Sequence, residues 1–117
     1  MQTLLARKPI TVIAPQHQLN AATAKEFGRQ LSAAISAPGV AVVLVDMAQV
    51  KFIDSAGLMT LVAGLKQAKN LGRRFSICSI CPGTRMILEL SQLDRVFEIF
   101  DNIESFEAQN ARLEGRG

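Results

Sequence analysis

A run of six consecutive apolar residues, residues 40–45, is the feature that most limits what this chain can fold into. An unbroken apolar run of this length is typical of a central or parallel strand, because a half-exposed strand alternates apolar and polar side chains. It is far too short to cross a membrane as a helix. Pro38 and Gly39 precede the run, and Asp46 closes it. We therefore expect a strand in the middle of a covered sheet.

Helical and strand-like patterns alternate on either side of this run. Further strands are predicted at residues 10–13, 75–80 and 96–100, whereas residues 16–18 and the region around 49–51 are predicted to be a polar link and a loop. Four helices are predicted between or after the strands. The order β-α-β-α-β-α-β-α predicts an α/β fold with a mostly parallel sheet of four to five strands and about four helices.

The ends and buried faces of these helices are also predicted. Asn20 or Thr23 can cap the first helix, with Glu26 as the capping-box partner of Thr23, and Asp101 pairs in the same way with Glu104 at the last helix. The central helix has an apolar stripe at helical spacing, consisting of Leu58, Leu61, Val62, Leu65 and Ala68. The third helix is expected to turn four side chains inward, namely Met86, Ile87, Leu90 and Leu93.

Length and composition favour a single domain over residues 1–117, with a core at about residues 10–110 and a frayed tail at 111–117. The N-terminal residues lack the apolar segment of a signal peptide, so we expect a soluble cytoplasmic protein without membrane insertion. The thirteen Lys and Arg residues are spread along the chain and no aromatic residues accompany them as a stacking surface. We expect a solvated surface and no direct nucleic-acid partner.

Sites for catalysis and for metals are not indicated. Cys78 and Cys81 form one C-x-x-C pair, but no second pair exists and the single His17 is distant in sequence, so a zinc site within one chain is not predicted. We expect both cysteines to be buried structural thiols. Neither a G-x-S-x-G elbow nor a phosphate-binding glycine loop is present. We expect no enzyme activity and no cofactor.

Residues 54–57, Asp-Ser-Ala-Gly, lie at the start of the central helix and are the candidate site. A hydroxyl there adjoins unpaired backbone N–H groups and the positive end of the helix dipole. Two interpretations remain open: Asp54 or Ser55 is only a helix cap, or Ser55 accepts a phosphate from another enzyme. Ser55, Met59 and Ala63 share one helical face, which either covers a neighbouring loop or forms a docking surface.

The motif at residues 52–58, Phe-Ile-Asp-Ser-Ala-Gly-Leu, following the apolar strand, resembles the signature of the STAS domain family, which includes sulfate transporters and anti-sigma factor antagonists. The resemblance is strongest to the stand-alone bacterial anti-sigma factor antagonists and extends over roughly residues 10–110. It includes residues 19–23 before the first helix, residues 72–75 and residues 90–100.

This resemblance implies a partner-switching protein. The unphosphorylated form would bind an anti-sigma factor that is also a serine-protein kinase, the kinase would phosphorylate Ser55, and a serine phosphatase would reverse the reaction. In the family the phosphoacceptor is one of the two residues after the motif's Asp, and the second of these is Ala56 here. The implied partner-binding residues are Asn20, Asp54, Ser55, Ala56, Gly57, Met59 and Ala63. Relatives usually have Asp at the position of Asn20. The alternative is a STAS-like subunit of a membrane lipid-transport complex that is not phosphorylated.

Overall fold

The computed structural model describes residues 9–115. The last two residues of the predicted tail lie outside this range. The strands are β1 (Ile10–Ile13), β2 (His17–Leu19), β3 (Val42–Asp46), β4 (Val50–Ile53), β5 (Arg74–Cys78) and β6 (Glu98–Phe100). The helices are α1 (Ala24–Ser36), α2 (Ser55–Asn70), α3 (Pro82–Leu90) and α4 (Ile103–Gly115), and a short 3-10 helix spans Leu93–Arg95.

Four parallel strands form the main sheet in the order β1-β3-β5-β6. The apolar run supplies β3, which lies between β1 and β5, and its residues 42–45 are buried. Val43 and Val45 face a core shared with α1 and α2, whereas Val42 and Leu44 face a smaller core that includes Phe106 of α4. The predicted α/β fold, its parallel sheet and its four helices are therefore confirmed.

A second, two-stranded parallel sheet pairs β2 with β4. The prediction of a link at residues 16–18 and a loop around 49–51 is therefore wrong. In β2 only Leu19 is buried, and β4 is buried only at Val50 and Ile53, so neither segment shows an apolar period. These strands exist because each satisfies the other's backbone hydrogen bonds, a long-range effect that a local pattern does not reveal. Their pairing brings the segment before α1 next to the segment before α2.

Both long helices bury one apolar face, and that of α2 is the predicted one. Phe27, Leu31 and Ile35 of α1 are buried, and α2 buries the predicted stripe except that Val62 is half-buried. Gly72 has a φ of 70° just after the last turn of α2, a left-handed conformation that is common where helices end.

The predicted capping residues need correction. Thr23 is at the N-cap of α1, but its side chain makes no cap hydrogen bond, and the carboxylate of Glu26 instead contacts Arg29 and Gln30. At α4 the cap is Asn102 and not Asp101, since the Asn102 side chain accepts from the backbone N–H of Ser105 at 2.7 Å. The helix begins one residue later than predicted, which leaves Asp101 outside it.

The predicted inward face of α3 is wrong in two positions. Met86 is 59% exposed and Leu90 is 79% exposed, whereas Thr84 and Leu88 are buried. The buried pair is spaced by one helical turn, and a hydrogen bond between the Thr84 hydroxyl and the Cys81 sulfur satisfies the buried polar group. The apolar pattern does not predict Thr84 as a buried residue, because its side chain carries a polar hydroxyl group.

A polar cluster fastens α4 to the sheet. The Arg74 guanidinium makes two hydrogen bonds to the carboxylate of Glu98, at 2.7 and 2.9 Å, and a third at 2.9 Å to Oδ1 of Asn110. It also lies 5.3 Å from the ring centroid of Phe106. Asn110 is buried at this contact, and α4 extends beyond it to Gly115.

Within residues 9–115, no helix is both long and apolar enough to cross a membrane.

Candidate functional site

Asp54 joins β4 to α2 and caps the helix. Its backbone is extended, its N–H donates to the carbonyl of Leu19 at 3.0 Å, and its Oδ1 accepts from the backbone N–H of Gly57 at 3.1 Å. The cap therefore satisfies one of the N–H groups that have no partner inside the helix. The bond to Leu19 also fixes where α2 begins relative to the small sheet.

The second carboxylate oxygen of Asp54 connects this helix start to the turn before α1. Oδ2 accepts from the backbone N–H of Ala21 at 3.2 Å. The Asn20 side chain organises the same turn, since its Oδ1 accepts from the N–H groups of Ala22 at 3.0 Å and Thr23 at 3.2 Å. Two segments that are 33 residues apart in sequence thus meet at one carboxylate.

Ser55 is the first residue of α2, and its side chain is exposed. Among the described residues, none makes a hydrogen bond with its hydroxyl, and the helix cap is provided by Asp54 alone. The backbone N–H groups of Ser55 and Ala56 are in the first turn, where no carbonyl of the helix can reach them. The hydroxyl is therefore accessible and lies at the positive end of the helix dipole.

Gly57 allows the first turn of α2 to press against β2. A β-carbon at this position would lie 2.8 Å from the Cβ of Leu19 and closer still to its carbonyl oxygen. Ala56 is half-buried next to it, and its carbonyl accepts from the hydroxyl of Thr60 at 2.9 Å. Gly57 therefore positions the start of α2 through packing, and the exposed face of the helix begins at Ser55.

The exposed face of α2 continues from Ser55 through Met59, which is 58% exposed, to Ala63. Met59 and Ala63 of this face line a groove of about 420 Å³ between α1 and α2, which we name the α1–α2 groove. It is lined by Gly28, Leu31, Ser32, Met59, Thr60, Ala63, Gly64 and Gln67.

The sequence pattern predicts the exposed residues on the α2 wall of this groove but not those on the α1 wall. Gly28 was a usable signal, because a glycine inside a helix costs about 0.5–1 kcal/mol relative to alanine and suggests a packing reason. A β-carbon on Gly28 would lie 3.4 Å from the methyl carbon of Thr60.

The sequence pattern also does not predict Phe52 of β4 as a surface residue. It is 52% exposed two residues before Asp54, and a strand pattern cannot distinguish an exposed aromatic from a buried one.

The two cysteines have different environments. Cys78 is buried in β5, and burial raises the pKa of its thiol. Cys81 is half-buried at the N-cap of α3, where a hydrogen bond from the Thr84 hydroxyl lowers the pKa of its thiol. The expectation of buried thiols is therefore confirmed for Cys78 and wrong for Cys81, because Cys81 follows the strand and opens a helix.

Over residues 9–115, no group of three or more His, Cys, Asp and Glu side chains could hold a metal ion.

Comparisons with known proteins agree with this architecture. The family model of the STAS domain matches residues 3–106. A candidate anti-sigma factor antagonist of Thermotoga neapolitana is 27% identical over 94 residues, covering 80% of this chain and 83% of the relative. A candidate anti-sigma factor antagonist of Bordetella bronchiseptica, BtrV, is 26% identical over 90 residues, covering 77% of both chains.

Solved structures show the same fold. A candidate anti-sigma factor antagonist from Thermotoga maritima has a TM-score of 0.79 at 23% identity, with 87% of both chains covered. The anti-sigma factor antagonist SpoIIAA in its unphosphorylated form has a TM-score of 0.68 at 16% identity, with 95% of this chain and 96% of that chain covered.

Proposed function

The chain belongs to the STAS domain family, and on that premise we propose that it is an anti-sigma factor antagonist whose partner binding is switched by phosphorylation of Ser55. The observation that carries the proposal is the exposed Ser55 hydroxyl at the start of α2, beside an Asp54 carboxylate already committed to the cap. The names of the curated relatives support the same class of function.

In this proposal the unphosphorylated chain binds an anti-sigma factor that is also a serine-protein kinase. The docking surface includes Ser55, Met59 and Ala63, with the turn at Asn20 beside it. Asp54 and Gly57 fix the position of this surface through the contacts of the helix start. Binding would occupy the anti-sigma factor and release its sigma factor.

The kinase would supply ATP and the catalytic groups, and this chain would supply only the acceptor. The Ser55 oxygen would bond to the γ-phosphorus of ATP, ADP would leave, and the hydroxyl proton would pass to a base of the kinase. Phosphorylation adds about −1.5 to −2 charges at neutral pH. The first-turn N–H groups of α2 favour such a charge, so the fold would be retained.

A partner pressed over this surface would meet the new charge directly. The Asp54 carboxylate adds a second negative charge beside it, so a docked protein would have to bury or approach two like charges. The partner would be released, and a serine phosphatase would restore the binding form. The change therefore acts on the docking surface and leaves the core intact.

The test is incubation of the chain with candidate anti-sigma factor kinases and ATP, followed by intact-mass measurement and peptide mapping. We expect one phosphate, located on Ser55, and no phosphate on the Ser55→Ala variant. Phosphate on another residue, or none with every candidate kinase, would overturn the proposal.

A constitutive subunit of a membrane lipid-transport complex is the second candidate. It is favoured by the complete helix cap at Asp54, which leaves the docking surface formed without any modification of Ser55. This function predicts co-purification with a transporter ATPase and equal complex formation by the wild-type chain and Ser55→Ala. Loss of the complex on phosphorylation would exclude it.

A further inference from the structure

The α1–α2 groove is open because small residues line it. A β-carbon on Gly64 would lie 2.6 Å from Cδ2 of Leu31, so the glycine permits the close approach of the two helices. Ala63 and Ser32 are exposed on its walls. Larger side chains at these positions would fill the space, and their absence leaves room for an inserted side chain.

The ends of the groove differ. At one end the side chain of Gln67 donates to the carbonyl of Ser32 at 3.3 Å and bridges the two helices. Met59 lies toward the other end, one helical turn from Ser55. An exposed methionine suits a docking surface because its flexible side chain adapts to the shape of a partner. The groove therefore runs from a bridged end toward the candidate phosphorylation site.

The helices that form the groove carry an uneven charge. Together α1 and α2 have four basic residues and one acidic residue, Glu26, which is paired with Arg29. Lys25 is about one helical turn from Gly28 and Lys66 is about one turn from Ala63, and within residues 9–115 neither lysine forms an ion pair. A partner that supplies carboxylates beside an apolar side chain would match this charge, whereas a basic partner would be repelled.

We propose that the α1–α2 groove receives an amphipathic helix of the protein partner, with an apolar side chain inserted between the helices and carboxylates directed toward the unpaired lysines. This inference rests on the proposed function, since it specifies the partner's chemistry at the same surface. It also gives the switch a physical cause. A phosphate on Ser55 would stand near the Met59 end of the groove and repel an acidic helix.

The test uses the isolated full chain and two designed peptides of about 18 residues, long enough for substantial helix content. Both carry leucines at i, i+4 spacing; one has glutamates on its flanks and the other has lysines. Titration of the ¹⁵N-labelled chain should shift the amide signals of Gly28, Thr60, Ala63 and Gly64. The glutamate peptide should bind about tenfold more tightly than the lysine peptide, and added salt should weaken its binding. Equal affinities, shifts confined to other surfaces, or no binding would overturn the proposal.

A matched pair of variants checks the location. Ala63→Leu fills the groove from an exposed position and should weaken binding of the glutamate peptide about tenfold. Ala33→Leu adds the same side chain to an exposed position of α1 outside the groove lining, and it should leave binding unchanged. Equal binding by both variants would contradict the proposal. Self-association that Ala63→Leu abolishes would identify a second copy as the occupant and would also overturn it.

These measurements need no kinase, so they separate two failures. Phosphorylation of Ser55 without peptide binding would leave the proposed function standing and remove the acidic-helix inference. Peptide binding at the groove without phosphorylation by any kinase would support the acidic-helix inference and remove the proposed phosphorylation of Ser55.

Discussion

A β-carbon on Gly57 would lie 2.8 Å from the carbonyl carbon of Leu19, which leaves no room for a side chain at this position of α2. The first turn of the helix therefore rests directly on the backbone at the end of β2. This contact, with the hydrogen bond from the N–H of Asp54 to the Leu19 carbonyl, fixes the position of Ser55. The location of the candidate phosphoacceptor depends on the small sheet that the sequence pattern did not reveal.

The first prediction concerns this contact. Gly57→Ala should lower the free energy of unfolding by about 1–3 kcal/mol, because the added methyl group overlaps backbone atoms. Gly83→Ala is the matched control, since that glycine is also in a helix and a β-carbon there would meet nothing within 4 Å. The control should be neutral or slightly stabilising. Urea denaturation followed by circular dichroism measures both, and equal effects would contradict the contact.

The second prediction concerns the cap. Asp54→Ala should cost about 0.5–2 kcal/mol of unfolding free energy, because the N–H of Gly57 loses its acceptor. Asp54→Asn retains a capping oxygen and should cost less. Amide hydrogen exchange should become faster at both Gly57 and Ala21 in the alanine variant, since both donate to this carboxylate. Faster exchange at neither amide would show that the carboxylate does not join the two segments.

The third prediction concerns the stability of the α4 attachment at acid pH. Burial raises the pKa of Glu98, but hydrogen bonds from Arg74 and Ser76 outweigh it and hold the pKa below its ordinary value of 4.5. A carboxyl group whose pKa is lower in the folded state stabilises the fold above the unfolded pKa, and this contribution disappears as pH falls through the folded pKa.

Glu98→Gln should therefore lower the unfolding free energy at pH 7. As the pH falls below 5, the unfolding free energy of this variant should decrease less than that of the wild-type chain. Denaturation curves at several pH values measure this slope. Identical pH dependence of the variant and the wild-type chain would contradict the assigned role of the Arg74–Glu98 pair.

The fourth prediction concerns the cysteines. In the native chain, iodoacetamide should alkylate Cys81 well before Cys78, because the Thr84 hydroxyl lowers the pKa of the half-buried Cys81 thiol while burial raises that of Cys78. Thr84→Val keeps the shape of the buried side chain and should slow alkylation of Cys81. Peptide mass mapping over time gives both rates. Preferential reaction at Cys78 would be inconsistent with its burial.

The main sheet could be predicted because β3 is uninterruptedly apolar and α2 has a long apolar stripe. In both elements the local sequence pattern is enough to predict which residues are buried. The small sheet could not, because β2 and β4 depend on pairing with each other across more than thirty residues. For the same reason the contact between Asp54 and Ala21 was not foreseen, although the motif around Asp54 was recognised. Local capping ability also proved ambiguous: Asp101 and Asn102 are both suitable caps, and tertiary placement of α4 selects the second.

The candidate site was predicted in part. Residues 54–57 and the exposed positions Met59 and Ala63 follow from a helix wheel and a motif. The opposite wall of the groove required knowing that α1 packs beside α2. Leu90 shows the reverse error, since its apolar side chain was assigned to the core and is largely exposed. An apolar residue near the end of a short helix does not determine which face is buried.

The most direct test of the central claim is the affinity of the chain for its anti-sigma factor kinase before and after phosphorylation of Ser55, measured by titration calorimetry with Ser55→Ala as the unmodified control. A change from 99:1 to 1:99 occupancy requires a difference of about 5.5 kcal/mol, or roughly 10⁴-fold in affinity. We expect a loss of affinity approaching this size, with unchanged circular dichroism of the phosphorylated chain. Equal affinity of the phosphorylated and unphosphorylated chains would contradict it.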